Sequence, residues 1–72
     1  MLKYVEALLF HLSPYREHYL FKEYLLVELR GFKTIKSLTA CLEPLIQEFP
    51  EQEGIIRECI AIRFREIKLA YS

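Results

Sequence analysis

Chemistry in so short a chain must come from few side chains, and the histidines are the first to weigh. His11 and His18 are the only two. A Ser13-Pro14 break lies between them, so they do not share a helix face at metal-ligand spacing, and neither belongs to an HExxH or Glu-x-x-His motif. A metal site needs three or more converging ligands, and the sequence points to no metal and no other cofactor. Glu17 precedes His18, but adjacent residues on a helix point apart. His18 reads as a half-buried helix residue, and His11 as a helix C-terminal residue favoured by the macrodipole.

Cys41 and Cys59 need a base and an electropositive setting to act as nucleophiles. Both fall among or beside apolar positions, and neither adjoins a histidine, so buried, unreactive thiols are expected. Two cysteines are too few for a disulfide framework, and no C-x-x-C pair occurs. A Gly-rich phosphate loop, a G-x-S-x-G elbow and a serine beside a plausible base are also missing. The expectation is a chain that is not an enzyme on its own.

The tyrosines suit recognition better. Tyr4, Tyr15, Tyr19 and Tyr24 gather in the first third of the chain, with Phe10 and Phe21 among them. A tyrosine joins a large apolar body to a polar tip, which fits a surface that is alternately wet and covered. The same pattern also arises from core aromatics whose hydroxyls reach solvent. Arg57, Arg65 and Lys68 align with Ala61 along one side of the last helical segment. Such a row can meet phosphates or an acidic partner; it is equally the solvent face of an amphipathic helix, with Glu58 close enough to dilute it.

Composition favours helices to hold these groups. Apolar residues make up 53% of the 72 positions, which argues against disorder. Trp, Asp and Asn are absent, and with 2 Gly and 3 Pro there is little material for hairpin turns. Leu, Glu, Lys, Arg and Ala lose little rotamer freedom in a helix. The fold class expected is all-α: one domain over residues 1–72, a small bundle of about four helices.

The first segment, residues 2–12, repeats apolar positions at Leu2, Val5, Leu8, Leu9 and Leu12. Ser13 is expected to cap the next helix, with Pro14 at its first position. The second segment, residues 14–30, is apolar on two faces. Tyr15, His18, Phe21, Leu25, Leu26 and Leu29 form one; Leu20, Tyr24 and Val27 form the other. Gly31 is expected to close it as a left-handed cap, with Phe32 touching Val27. Thr34 caps a third segment whose stripe is Ile35, Leu38, Leu42, Leu45, Ile46 and Phe49, kinked or broken at Pro44. Phe49-Pro50 opens the fourth, with one stripe of Ile56, Ile60, Phe64, Ile67 and Tyr71 and another of Ile55, Cys59, Ile62 and Leu69.

Two-faced helices in so small a domain imply apolar surface left uncovered. The sequence therefore predicts self-association, as a homodimer, or a protein partner serving the same purpose. The interface candidates are Tyr15, Tyr19, Leu20, Tyr24, Val27, Ile56, Ile60, Phe64, Ile67 and Tyr71. Ten basic and ten acidic residues cancel, with a pI near 6.7, so a nucleic-acid partner is disfavoured. Nothing approaches the ~20 apolar residues of a membrane span, and a carboxylate at Glu6 interrupts the start where a secretory signal needs an apolar run. A cytoplasmic setting follows from these and from the free thiols.

The functional expectation is a non-enzymatic protein–protein interaction module: a small helical adaptor, regulator or inhibitor. The alternatives are a helix-turn-helix-like DNA-binding regulator, suggested by the helix–Gly–helix run of residues 26–38, and a small accessory subunit of an enzyme complex. Against DNA binding, residues 45–53 carry Glu48, Glu51 and Glu53 but no Lys or Arg to donate to bases or phosphates.

Overall fold

A computed structural model describes the backbone of residues 3–71 and the side chains of residues 5–70. The described residues form five α-helices and two 3-10 turns. These are α1 (Lys3–Leu12), a turn at Ser13–Tyr15, α2 (Phe21–Leu29), α3 (Ile35–Ala40), α4 (Leu42–Glu48), a turn at Pro50–Gln52, and α5 (Glu53–Tyr71). The bundle is all-α, as the composition implies. Its Cα extents are 35 × 26 × 16 Å, so it is about two helix layers thick.

Helix α5 packs against α2, α3 and α4, while α1 rests on α2 and α4. This arrangement explains the two apolar stripes of α5: with neighbours on several sides, both are covered over most of its length. Ile56, Cys59, Ile60 and Ile67 are buried, and Ile55 and Ile62 are half-buried. The rest of the core comes from Val5, Leu8 and Leu12 of α1, Phe21, Leu25 and Leu29 of α2, Leu38, Cys41, Leu45 and Phe49. Phe21 meets Phe49 edge-on at 5.5 Å, and the Arg16 guanidinium lies 5.3 Å from the Phe49 ring centre.

The second segment is shorter than expected. Its helix begins at Phe21, and residues 13–20 form a 3-10 turn followed by further turns. Ser13 makes no side-chain cap; the turn it opens has Leu12 in the capping position. Long-range bonds hold this stretch instead. Arg16 donates through Nε to Glu51 at 3.0 Å and through Nη2 to the Glu48 carbonyl at 2.9 Å, and Gln52 donates back to the Arg16 carbonyl. The Gln52 bond satisfies a turn carbonyl that a continuous helix would have satisfied internally.

The third segment is broken, and the break is at Cys41 rather than at Pro44. In an unbroken helix Pro44 would leave the Ala40 carbonyl without its bond and press its ring against it. The chain therefore ends α3 at Ala40 and restarts at Leu42. Pro44 then falls in the first turn of α4, where no N–H is required. The apolar stripe keeps its phase: Leu38, Leu45 and Phe49 are buried, and Ile35, Leu42 and Ile46 are half-buried. Thr34 caps α3 as expected, its Oγ1 accepting from the Ser37 N–H at 3.1 Å.

Gly31 does not adopt the left-handed conformation; none of the described residues has positive φ. The chain leaves α2 through tightened bonds, Arg30 N–H to Val27, Gly31 N–H to Glu28 and Phe32 N–H to Leu29. The carbonyls just beyond the end of α2 are taken by Arg63 of α5. Its Nη2 donates to Phe32 O at 3.0 Å and to Arg30 O at 3.3 Å, and its Nε to Phe32 O at 3.3 Å. Phe32 packs onto the core, whereas Val27 is 62% exposed, so the expected pairing of those two is replaced.

Arg63 therefore fixes the α2–α3 corner, with its side chain only 13% exposed. Arg63→Ala is expected to lower the urea-unfolding free energy by about 2–3 kcal/mol, as for bonds to a charged donor. Arg63→Lys, which keeps the charge without the fork, should recover only part of it. At Gly31 an added Cβ would meet the Glu28 carbonyl at 3.4 Å, an ordinary contact. Gly31→Ala should therefore stabilise by about 0.4–1 kcal/mol through the unfolded chain; destabilisation would show that the corner needs a left-handed glycine.

Candidate functional site

The tyrosine and histidine side chains of residues 15–24 assemble as one cluster. The Tyr15 and Tyr24 rings stack at 4.0 Å, His18 meets both edge-on at 5.8 and 5.9 Å, and Tyr19 stacks on His18 at 4.7 Å. Tyr19 is 85% exposed, and Tyr15, Leu20 and Tyr24 are half-buried. His18 is exposed and lies in a turn, not half-buried in a helix; its Nδ1 accepts from the Leu20 N–H at 3.1 Å. Closed stacking leaves no slot between Tyr15 and Tyr24 for a ligand.

A cleft of about 340 Å³ between α1, the end of α2 and the start of α3 is lined in part by His11, Glu28 and Ser37. Spacing alone does not bring these three together, since they sit on three different elements. His11 Nδ1 is 3.6 Å from Glu28 Oε1, outside hydrogen-bonding range. Ser37 Oγ donates to the Thr34 carbonyl at 3.0 Å, so its hydroxyl serves the α3 cap. Among the described residues no three His, Cys or Glu side chains converge as metal ligands.

A second concavity is a groove of about 740 Å³ along α5 from Arg57 to Leu69. Its apolar lining is Leu42, from the start of α4, with Ile60, Ala61, Phe64 and Leu69 of α5. Arg57, Arg65 and Lys68 line the same groove, and among the described residues no carboxylate does. The residues 57, 61, 64, 65 and 68 share one helical face at steps of three and four. Over those 12 positions the face is about 17 Å long, three turns of helix.

Each carboxylate of α5 is ion-paired, one of them to a cation of the groove. Glu58 pairs with Lys22 of α2 at 2.9 Å, Glu66 with Arg63 at 3.2 Å, and Glu53 with Arg57 at 2.9 Å. Glu58 thus turns toward α2 and does not dilute the basic row. Among the described residues Arg65 and Lys68 have no carboxylate within ion-pair distance.

The interface candidates divide accordingly. Ile56, Ile60 and Ile67 are 0%, 7% and 4% exposed, so within the single chain they belong to the core. Phe64, at 38%, remains outward because the inward stripe runs through 56, 60, 63 and 67, with Arg63 at the position an apolar side chain would fill. Val27 and Tyr19 remain exposed. The side chain of Tyr71 lies outside the described residues. Leu42 and Leu69 of the groove were placed in buried stripes by periodicity alone; Leu69 is 75% exposed because it lies near the end of α5.

Compared with protein-family models, curated proteins and solved structures, the chain gives no match. Among the described residues no helix is long and apolar enough to cross a membrane.

The two thiols are free and buried. Cys41 donates to the Leu38 carbonyl at 2.9 Å, and burial pushes each thiol up to about 11 from an ordinary 9.0. A raised pKa stabilises the fold fully below pH 9, where the unfolded thiol is also protonated; that stability is lost as pH rises toward 11. Unfolding midpoints of the native chain should therefore fall more steeply across this window than those of a Cys41→Ala/Cys59→Ala chain. At pH 7.5 a thiol-reactive dye should label neither cysteine until denaturant is added. Rapid labelling of the folded chain would contradict the burial.

Proposed function

We propose that this chain is a non-enzymatic protein–protein interaction module, a small helical adaptor, regulator or inhibitor, whose working surface is the α5 groove. The observation that carries the reading is an apolar concavity, with Phe64 and Leu69 still exposed after folding, on a helix whose inner face is fully used. Grooves of this kind accept a helix through anchors three and four residues apart. The occupied hydroxyl of Ser37 and the raised, buried thiols favour binding over catalysis. Two free thiols suit a reducing, cytoplasmic setting.

Self-association is a second reading, and its favoured surface differs from the groove. The outer face of α2 and the turn before it present Val27 and Tyr19, 62% and 85% exposed, which are uncharged and pair with their own copies across a two-fold axis without repulsion. The mass of the pure chain by light scattering tests this directly: a dimer converted to a monomer by Val27→Glu supports it, and a monomer at high concentration removes it.

The module reading is tested by placing a photo-crosslinking phenylalanine analogue at position 64, and at Glu43 as an exposed control, in cells that make the protein. A discrete protein adduct is expected at position 64 alone. It should disappear when the exposed groove residue Ala61 is changed to Arg, while circular dichroism stays unchanged. No adduct at 64, or equal adducts at both positions, would overturn the assignment of the working surface.

A further inference from the structure

We infer, resting on the reading of the groove as a partner-binding surface, that its occupant is an acidic amphipathic helix. The apolar floor sets the first half of that description. Ala61 sits at the middle of the face, and its small side chain lets a second backbone come close, with Ile60 beneath and Phe64 beside it. The three-turn length matches apolar anchors at i, i+4 and i+7 of an entering helix.

Charge sets the other half. Arg57, Arg65 and Lys68 flank the floor; Arg57 is paired with Glu53, whereas Arg65 and Lys68 have no ion-pair partner among the described residues, so the groove arrives at an interface with those two cations in surplus. An occupant burying the floor must bring its own carboxylates or leave Arg65 and Lys68 partly desolvated and unpaired. A second copy of this chain fits poorly, because a two-fold axis through the groove sets cation against cation. A bilayer accepts side chains that project, and of the apolar lining Leu69 alone projects strongly at 75% exposed, while Ile60 at 7% lies too deep for a membrane surface to reach. A nucleic-acid backbone meets the cations and leaves the apolar floor wet.

The test uses the full chain against a displayed library of helical peptides. Each peptide has a fixed apolar stripe and flanking positions varied among Glu, Gln and Lys. Glu is expected to be enriched at the flanks. The winning peptide should bind R65Q/K68Q roughly tenfold more weakly, with circular dichroism unchanged, and weaken as salt is raised. On R65E/K68E the enrichment should move to Lys. Gln-rich or Lys-rich winners blocked by Ala61→Arg would overturn the acidic occupant while leaving the interaction reading in place. Winners indifferent to Ala61→Arg, or no enrichment, would overturn both. The inference also fails if R65Q/K68Q releases the chain from vesicles containing phosphatidylserine or from duplex DNA while no helical peptide is selected. A dimer of the native chain dissociated by Phe64→Glu would assign the groove to a second copy and overturn it as well.

Discussion

One long helix must be covered by short ones, and most of this structure follows from that mismatch. Helix α5 has 19 residues, about 28 Å, whereas α3 and α4 have 6 and 7. Helices that short do not persist alone, because nucleation fixes several dihedrals for one hydrogen bond. They form because α5 offers an apolar surface against which Leu38 and Leu45 can be buried. Coverage is complete around Ile56 and Cys59 and thins toward the C-terminal end, where Leu69 is left in solvent. The groove is the consequence of covering helices that run out before α5 does.

Arg63 shows how the fold resolves a polar requirement inside an apolar layer. It stands seven residues after Ile56 and four before Ile67, a core position by spacing. An arginine there is costly unless its charge and its donors are both answered. The Arg30 and Phe32 carbonyls, just past the end of α2, answer its donors, and the Glu66 carboxylate lies 3.2 Å from its guanidinium. The same contact closes α2 without a left-handed residue, so a glycine follows α2 whose conformational freedom the backbone does not use. Arg16 plays a comparable part at the other end, bonded to Glu51 and held over Phe49. The pairing holds the Glu51 carboxyl below its usual range, so this tie is present at neutral pH and is lost as acid protonates it.

Periodicity made the helices legible where a stripe met a single neighbour. The stripes of α1 and of the α3–α4 pair emerge with the phase their spacing implies, and Thr34 was readable as a cap from its position alone. It failed where the determining partner is distant in sequence. Residues 13–20 look helical because Tyr15 and His18 fall in phase with Phe21, yet Glu48, Glu51 and Gln52, bonded to Arg16, hold them as turns from more than 30 positions away. Proline position gave a break but not its place, because the group it disturbs is the carbonyl four residues earlier. Wheel arguments for α5 assumed that each helix shows half its girth to water. With α2, α3 and α4 around it that assumption fails, and Ile56, Ile60 and Ile67 belong to the core.

The basic row shows why a neutral total is a weak guide to a surface. Ten positive and ten negative residues cancel in the sequence, and on the helix wheel Glu58 lies close enough to Arg57 and Ala61 to make that side look mixed. Folding sorts the charges by partner. Lys22 draws Glu58 toward α2, and Arg63 holds Glu66 beside the corner it caps. Each pair is exposed enough to contribute little to stability. Their effect is on the pattern left behind, because every carboxylate drawn to one side of α5 leaves the other side more cationic. Arg65 and Lys68 gain no new charge in the process; they lose the neighbours that would have masked them. The charge of the groove is thus set in part by ion pairs outside it, and it cannot be read from the residues that line the groove alone.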